Sequence, residues 1–569
     1  MKKIFSILSL VIICAGCHVL DFDETSSDYT REDMITSFSN ISRLLTNVYG
    51  YMPNKDIADV GNALRDCGSD DAEYADPEAS VQLFTNGNWS AISTVDTKWS
   101  LYGGVRAAND FLDLVWDDET KDIKENVKEN LYIFRYTSTY VAEMEKLACA
   151  PYEARVLRAY FFFELARRYG DIPMPLVKLT AEEANAIEKT PFDEVINFIV
   201  SECDEAAAHL PNTFVGMRSD EIGRATKGFA LAVKAKALLY AASPLHNPGG
   251  DKAKWQKAAA AAKAIMDMNY YKLDPKEKAN NYASSEVILA IARSETQSFE
   301  KNNFPVRFTY GERTSMAGTY PTQNLVDAFQ TVNGYDITLG SNGWVTRDPD
   351  FDVSKPYENR DPRFARAILA NGMTFKGSAI ETFVGGRDYS ATRSDLGTMT
   401  GYYLRRYIIE DVDFTPEASV LAKHQWIVYR YAEALLSYAE ALNEYLGDPT
   451  RTDGNFTVSA LDALNQVRAN AGMPNVEATG YAAFQDAVRR EWRVEFAFED
   501  HRFWDVRRWD IGQATQGQID GVEIVKSGNQ FTYSRKIVET RTWSAKMNLF
   551  PIPQSETFCN PNLIQNTGW

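Results

Sequence analysis

The sequence predicts a mostly α-helical fold: a scaffold of helical hairpins carrying an inserted, irregular, loop-rich subdomain. Three observations lead to it. Apolar residues recur at helical spacing in both terminal portions, with caps and stops at their ends. A pattern of helix, short turn and helix recurs at least three times, with Ala at close-contact positions. Residues from about 272 to 420, by contrast, are rich in Gly, Pro, Thr, Asn and aromatics and have few clean helical faces.

Taken in order, the chain opens on Lys2 and Lys3, then an apolar stretch over residues 4–15. Twelve residues are too few to span a bilayer, which needs about 20, so the stretch reads as a signal-peptide core. It ends Ile13-Cys14-Ala15-Gly16-Cys17, which resembles a bacterial lipobox. That resemblance implies cleavage after residue 16 and a lipid on the Cys17 thiol. An ordinary secretory signal cleaved nearby is the alternative. Residues 17–36 then form a lipidated tether, and its early acids Asp21, Asp23 and Glu24 loosely resemble the export signals of surface lipoproteins in some Gram-negative bacteria.

Residues 37–271 form an N-terminal helical part. Residues 152–169 read as one helix, closed by Gly170 with Pro173 and Pro175 behind it. Thr226 is placed to cap an Ala-rich helix running to about Ser243, with Pro244 beyond. Residues 255–268 make its partner after the turn Asn247-Pro248-Gly249-Gly250. The irregular insertion, 272–420, follows. Residues 421–569 complete the scaffold: Ala432, Leu435, Leu436, Ala439 and Leu442 share one helical face, residues 458–471 form a partner helix, and Val488, Trp492, Phe496, Phe503 and Val506 mark a final long helix. The repeated hairpins resemble tetratricopeptide-type units, which stack because one hairpin cannot bury its own face.

Composition narrows the function. The 569 residues carry 60 Lys and Arg against 78 Asp and Glu, a net charge of −18. Nucleic-acid binding depends on basic patches, so no nucleic acid is expected as partner. The five histidines show no HExxH or ligand spacing, and no GxSxG, Walker loop or GxGxxG occurs. No catalytic residues, cofactor or metal are expected. Cys67, Cys149, Cys203 and Cys559 lack CxxC spacing, and sequence alone cannot choose among three disulfide pairings.

Several segments together resemble the SusD/RagB family of outer-membrane nutrient-binding lipoproteins. They are Trp99-Ser100-Leu101-Tyr102 through Asn109-Asp110-Phe111-Leu112, Arg155-Val156-Leu157-Arg158 through Tyr169-Gly170-Asp171-Ile172-Pro173, and Ala225-Thr226-Lys227-Gly228 to Ala242-Ser243-Pro244. Further along come Tyr357-Glu358-Asn359-Arg360-Asp361-Pro362-Arg363, Tyr431-Ala432-Glu433-Ala434 to Ala439-Glu440-Ala441-Leu442-Asn443, Arg489-Arg490-Glu491 through Arg507-Arg508-Trp509, and Phe550-Pro551-Ile552-Pro553 with Asn560-Pro561-Asn562-Leu563. The resemblance implies a SusD-like fold and a cell-surface protein, lipid-anchored in the outer membrane. It implies binding of glycans, or in some branches peptides, and delivery to a SusC-like TonB-dependent transporter, without chemistry on the ligand. A glycoside hydrolase is the less favoured alternative, since two suitably placed carboxylates suffice for it.

The motifs themselves read as scaffold: alternating Arg and Glu on packed helices, with Trp492, Trp504 and Trp509 in the core. Ligand contacts are therefore expected in loops, where flat aromatic rings can meet sugar faces. Two regions fit, and both are places where the family takes ligand contacts. Residues 65–89 offer Arg65, Asp71, Tyr74 and Trp89. Residues 304–344 offer Tyr310, Tyr320 and Trp344. Trp89 is the leading candidate.

Overall fold

The computed structural model describes residues 30–53, 60–214, 223–391, 397–477 and 480–569. The leader and Cys17 lie outside them. Ser37 opens helix α1 (Phe38–Tyr49), its hydroxyl accepting from the Asn40 amide at 3.2 Å. After a loop region holding the short strand β1 (Ala72–Tyr74) come α2 (Leu101–Val115), α3 (Tyr140–Tyr169), α4 (Phe192–His209), α5 (Lys227–Ala242) and α6 (Lys252–Asp267). Each of these helices packs on the next. The insertion then intervenes, with β2 (Val287–Thr296), β3 (Thr319–Pro321), β4 (Ile337–Gly340), β5 (Gly343–Thr346) and β6 (Ala422–Arg430). Helix α7 (Tyr431–Leu446) resumes the stack by packing on α6, and α8 (Ala460–Ala471) and α9 (Tyr481–Glu495) pack on α7. The stack therefore continues across a break of more than 160 residues.

Local sequence explains the ends of these helices. The Thr226 hydroxyl caps α5 by accepting from the Phe229 amide. Gly447 and Gly472 close α7 and α8 in the left-handed conformation, φ 72° and 81°. The α6–α7 contact is made of small residues against large: Ala258, Ala259 and Ala262 share a core with Leu435, Leu436, Ala439 and Leu442. Helix α3 is buried on all sides over its second half, with Phe161, Phe162 and Phe163 fully enclosed. Burying each of those rings contributes about 2–3 kcal/mol.

Two helices differ from the expectation. Helix α3 begins at Tyr140, a dozen residues early, because it runs through Pro151 rather than starting beside it. The expected final long helix is two: α9 ends at Glu495, and α10 (Arg502–Arg508) follows. Between them Phe498 and Asp500 both take φ 63°. Left-handed backbone at two non-glycine residues costs roughly 1 kcal/mol or more each. The surrounding ion pairs hold it there: Arg430 and Arg406 grip Glu499, and Arg65 grips Asp500.

The insertion is clamped at its own ends. β6 pairs antiparallel with β2, Ala422 opposite Thr296 and Arg430 opposite Val287. It also has a small core of its own, with Phe304, Phe308, Phe375 and Phe414. The C-terminal portion carries a long hairpin, β7 (Gln518–Ser527) and β8 (Gln530–Thr540), where sequence had suggested only helices. This hairpin packs on β4 and β5, and Arg535 donates to the Leu339 carbonyl at 2.6 Å.

Family-like motifs meet as buried ion pairs. Arg363 binds Glu491 at 2.5 Å and Glu495 at 2.8 Å, and Arg508 binds Glu440 at 2.6 Å. Removing one partner of such a pair costs about 3–5 kcal/mol, because a charge stays buried alone. Trp492, Trp504 and Trp509 are buried among these pairs, as expected.

Candidate functional site

A cleft of about 590 Å³ opens between the helical stack and the insertion. Its walls include the segment after α1 (Tyr51 and Pro53), the turn into α2 (Lys98 and Ser100), α3 (Tyr160, Glu164 and Arg167), the β2–β6 ladder (Arg293 and Trp426), and the α9–α10 break (Glu499 and Asp500). Tyr51, Lys98, Arg293 and Trp426 are partly exposed there. The walls thus combine half-open aromatic rings with charged and hydroxyl groups.

Each wall is held from behind. Tyr51 rests on the Gly103–Gly104 pair of α2. A Cβ at Gly103 would come within 2.6 Å of its ring, and one at Gly104 within 2.8 Å of its Cβ. Only glycine lets Tyr51 sit so close. Trp426 stacks on Tyr407, centroids 5.6 Å apart and planes 15° apart. The turn before α2 is held by Asp96, whose carboxylate accepts from Arg65 and Arg168, both at 2.9 Å.

The acids of the cleft are committed to arginines. Glu164 receives Arg167 at 2.6 Å and Arg168 at 2.8 Å. Glu499 receives Arg406 at 2.5 Å and Arg430 at 2.8 Å. Burial alone would raise both carboxyls, but their arginines hold each below its usual range. At the rim Lys236 binds Glu433 at 2.9 Å. Burial opposes ionisation of Glu433, yet Lys236 and then His501 hold its carboxyl down at about 2.

The two candidate loop regions do come together: β1 pairs antiparallel with β3, with Tyr74 opposite Thr319 and Glu73 opposite Tyr320. Their predicted contact residues, however, mostly face inward, and six of the seven are buried. Trp89 is 2% exposed; its ring is enclosed by Phe84, Phe550 and Trp569 at 4.8–4.9 Å. Tyr74 is buried, its hydroxyl reaching the Asn62 carbonyl. Tyr320 packs edge-on to Tyr403 in the small core of the insertion. Trp344 is buried against Tyr357 and Tyr533. Asp71 is fully buried and binds Arg493 at 2.6 Å. Arg65 is buried between Asp96 and Asp500. None of these six can offer a ring face or a free charge to a large ligand. Arg65 still matters, because its two acids border or position the cleft. Tyr310 alone is open, 59% exposed, with φ 50° on its loop.

Sequence reasoning missed Tyr51 and Trp426. Trp426 lies in residues 422–430, whose run Trp426-Ile427-Val428-Tyr429 is made of aromatic and β-branched residues, and that strand signal was available. Tyr51 follows a helix and carries no local signature. The four downstream cysteines are unpaired. Among the described residues no group of three or more His, Cys, Asp or Glu could hold a metal ion.

The comparisons with known proteins agree with this architecture. The chain is 23% identical to SusD-like protein P25 of Formosa agariphila, over all of this chain and 98% of that one. It is 26% identical to SusD-like protein P2 of the same organism over 74% of each chain. Among solved structures it superposes on a SusD-like protein from Bacteroides fragilis with TM-score 0.75 at 26% identity, covering 96% of this chain and 99% of that one. A second from that species, described as a SusD-like carbohydrate binding protein, gives TM-score 0.71 at 25% identity over 93% and 100%. The model of the SusD family matches residues 278–569, just over half of the chain, and the chain therefore belongs to the SusD family.

Proposed function

We propose that this protein binds glycan in the cleft between helical stack and insertion. It does so as a lipoprotein on the cell surface, anchored in the outer membrane through Cys17, and passes the glycan to a SusC-like TonB-dependent transporter. The observation that carries the reading is that Trp426 and Tyr51 both line this polar-rimmed cleft as part-exposed rings. Sugar recognition requires such rings for the C–H faces, with Lys98, Ser100 and Arg293 near enough to serve hydroxyls. A relative of the same fold is described as carbohydrate binding, which supports the ligand class. Tyr310, exposed on the insertion, extends the surface a long chain could touch.

The cleft is a binder rather than a hydrolase. A glycosidase needs a carboxylic acid that keeps its proton near neutral pH. Glu164 and Glu499 are shifted the other way by their arginines. The test is retention of the protein, lacking residues 1–17, in gels carrying each of a panel of polysaccharides. Slowed migration in at least one gel, lost in Trp426→Ala, is the expected result. Release of reducing ends would overturn the non-catalytic part of the reading.

A further inference from the structure

The connection between α2 and α3 ends in an apolar turn that the cleft does not use. Tyr132 is 58% exposed, Ile133 69%, Tyr136 84% and Val141, in the first turn of α3, 64%. Arg135 lies between the two tyrosines, its guanidinium carbon 4.2 Å from each ring centroid. No acid occurs between Glu129 and Glu143, in a chain that carries 78 of them. A contiguous exposed patch of this kind marks a surface that meets something.

Its place in the fold says what it meets. Phe134 and Tyr140, from the same turn, both pack on Phe38 at 5.9 Å, and Asn130 donates to the Ile35 carbonyl. The patch therefore adjoins residues 35–38, a few residues past the start of the described chain at Thr30. Cys17 is thirteen residues upstream, a reach of at most about 45 Å. From this we infer that Tyr132, Ile133, Tyr136 and Val141 rest in the headgroup layer of the membrane bearing the lipid anchor. This rests on the anchoring reading above. Tyrosine rings suit that layer, with an apolar body and a polar tip, and Arg135 stacked between them offers its guanidinium to lipid phosphate. Among the described residues no helix is long and apolar enough to cross a membrane. The contact orients the molecule about its tether, with one end of the helical stack held down.

The test uses residues 18–569 with an N-terminal hexahistidine tag, held on phosphatidylethanolamine–phosphatidylglycerol vesicles through a nickel-chelating lipid. Hydrogen exchange of the amides of residues 131–141 should slow several-fold on vesicles, while those of α6 stay unchanged. The triple change Tyr132→Ser, Ile133→Ser, Tyr136→Ser alters only exposed side chains and should abolish the slowing. Equal exchange with and without vesicles, or slowing that survives the triple change, overturns the proposal. Slowing seen in native outer membranes but not on protein-free vesicles also overturns it and assigns the patch to a protein. Mass spectrometry of full-length protein for lipid on Cys17, with Cys17→Ala as control, tests the anchor separately. An unlipidated Cys17 would refute the anchor yet leave the tethered-vesicle result intact.

Discussion

Trp426 stacks almost parallel on Tyr407, 5.6 Å between centroids, and the same indole borders the cleft. The ring is thus pre-positioned by one aromatic partner and loses little freedom when a sugar arrives. Trp426→Ala should weaken glycan affinity by about 2 kcal/mol, near thirtyfold, as its stacking area is lost. Isothermal titration against the glycan identified in the gels measures it. Circular dichroism should show a native helix content.

The Tyr51 seat makes a second prediction. Gly103→Ala puts a Cβ within 2.6 Å of the Tyr51 ring, which must move. Overpacking of this kind costs about 1–3 kcal/mol in stability. Affinity for glycan should fall as well, because Tyr51 leaves the cleft wall. Gly372→Ala, at a positive-φ glycine with open space around it, serves as control: it strains the backbone but should leave affinity unchanged.

Trp89 separates core from ligand contact. Its ring is enclosed by three others, so Trp89→Phe should lower stability by about 2–4 kcal/mol through the cavity it leaves. Affinity of the folded protein should stay within twofold of the original. Urea unfolding and titration calorimetry on one preparation give both numbers.

Acid sensitivity has an assignable source. His246 lies flat on Phe192, centroids 3.6 Å apart, and burial, with Lys254 nearby and Asp193 opposing, pushes its pKa down to about 4. The unfolded chain protonates this residue near 6.5. Its neutral form therefore adds stability above pH 6.5, and that contribution drains away as pH falls from 6.5 to 4. Glu433, held near 2, loses its contribution in a lower window, between about 4.5 and 2. His246→Gln should flatten the melting-temperature curve between pH 6.5 and 4 and leave the lower window unchanged. NMR titration of the imidazole should find a midpoint near 4; a midpoint near 6.5 contradicts the account.

What was legible in the chain was local. Thr226, Gly447 and Gly472 mark helix ends through bonds within a few residues, so the sequence shows them. The core role of Trp492, Trp504 and Trp509 followed from helical spacing. The site was not legible, because its logic is long-range. Trp89 sits in loop-like sequence, yet Phe550 and Trp569, more than 450 residues on, close over it. Arg65 and Asp71 read as loop charges until Asp500 and Arg493 are seen against them. The break between α9 and α10 was hidden for the same reason: its left-handed residues are held by Arg65, Arg406 and Arg430, remote in sequence. Strand pairing of residues 72–74 with 319–321 did unite the two candidate regions, but with most of their candidate side chains turned inward.

The central claim is that the cleft holding Trp426 and Tyr51 takes glycan. The most direct measurement is the affinity of four proteins for one retained polysaccharide: wild type, Trp426→Ala, Tyr310→Ala and Trp89→Phe. The account predicts a near thirtyfold loss for Trp426→Ala, a smaller loss for Tyr310→Ala and none for Trp89→Phe. Unchanged binding in folded Trp426→Ala would contradict it.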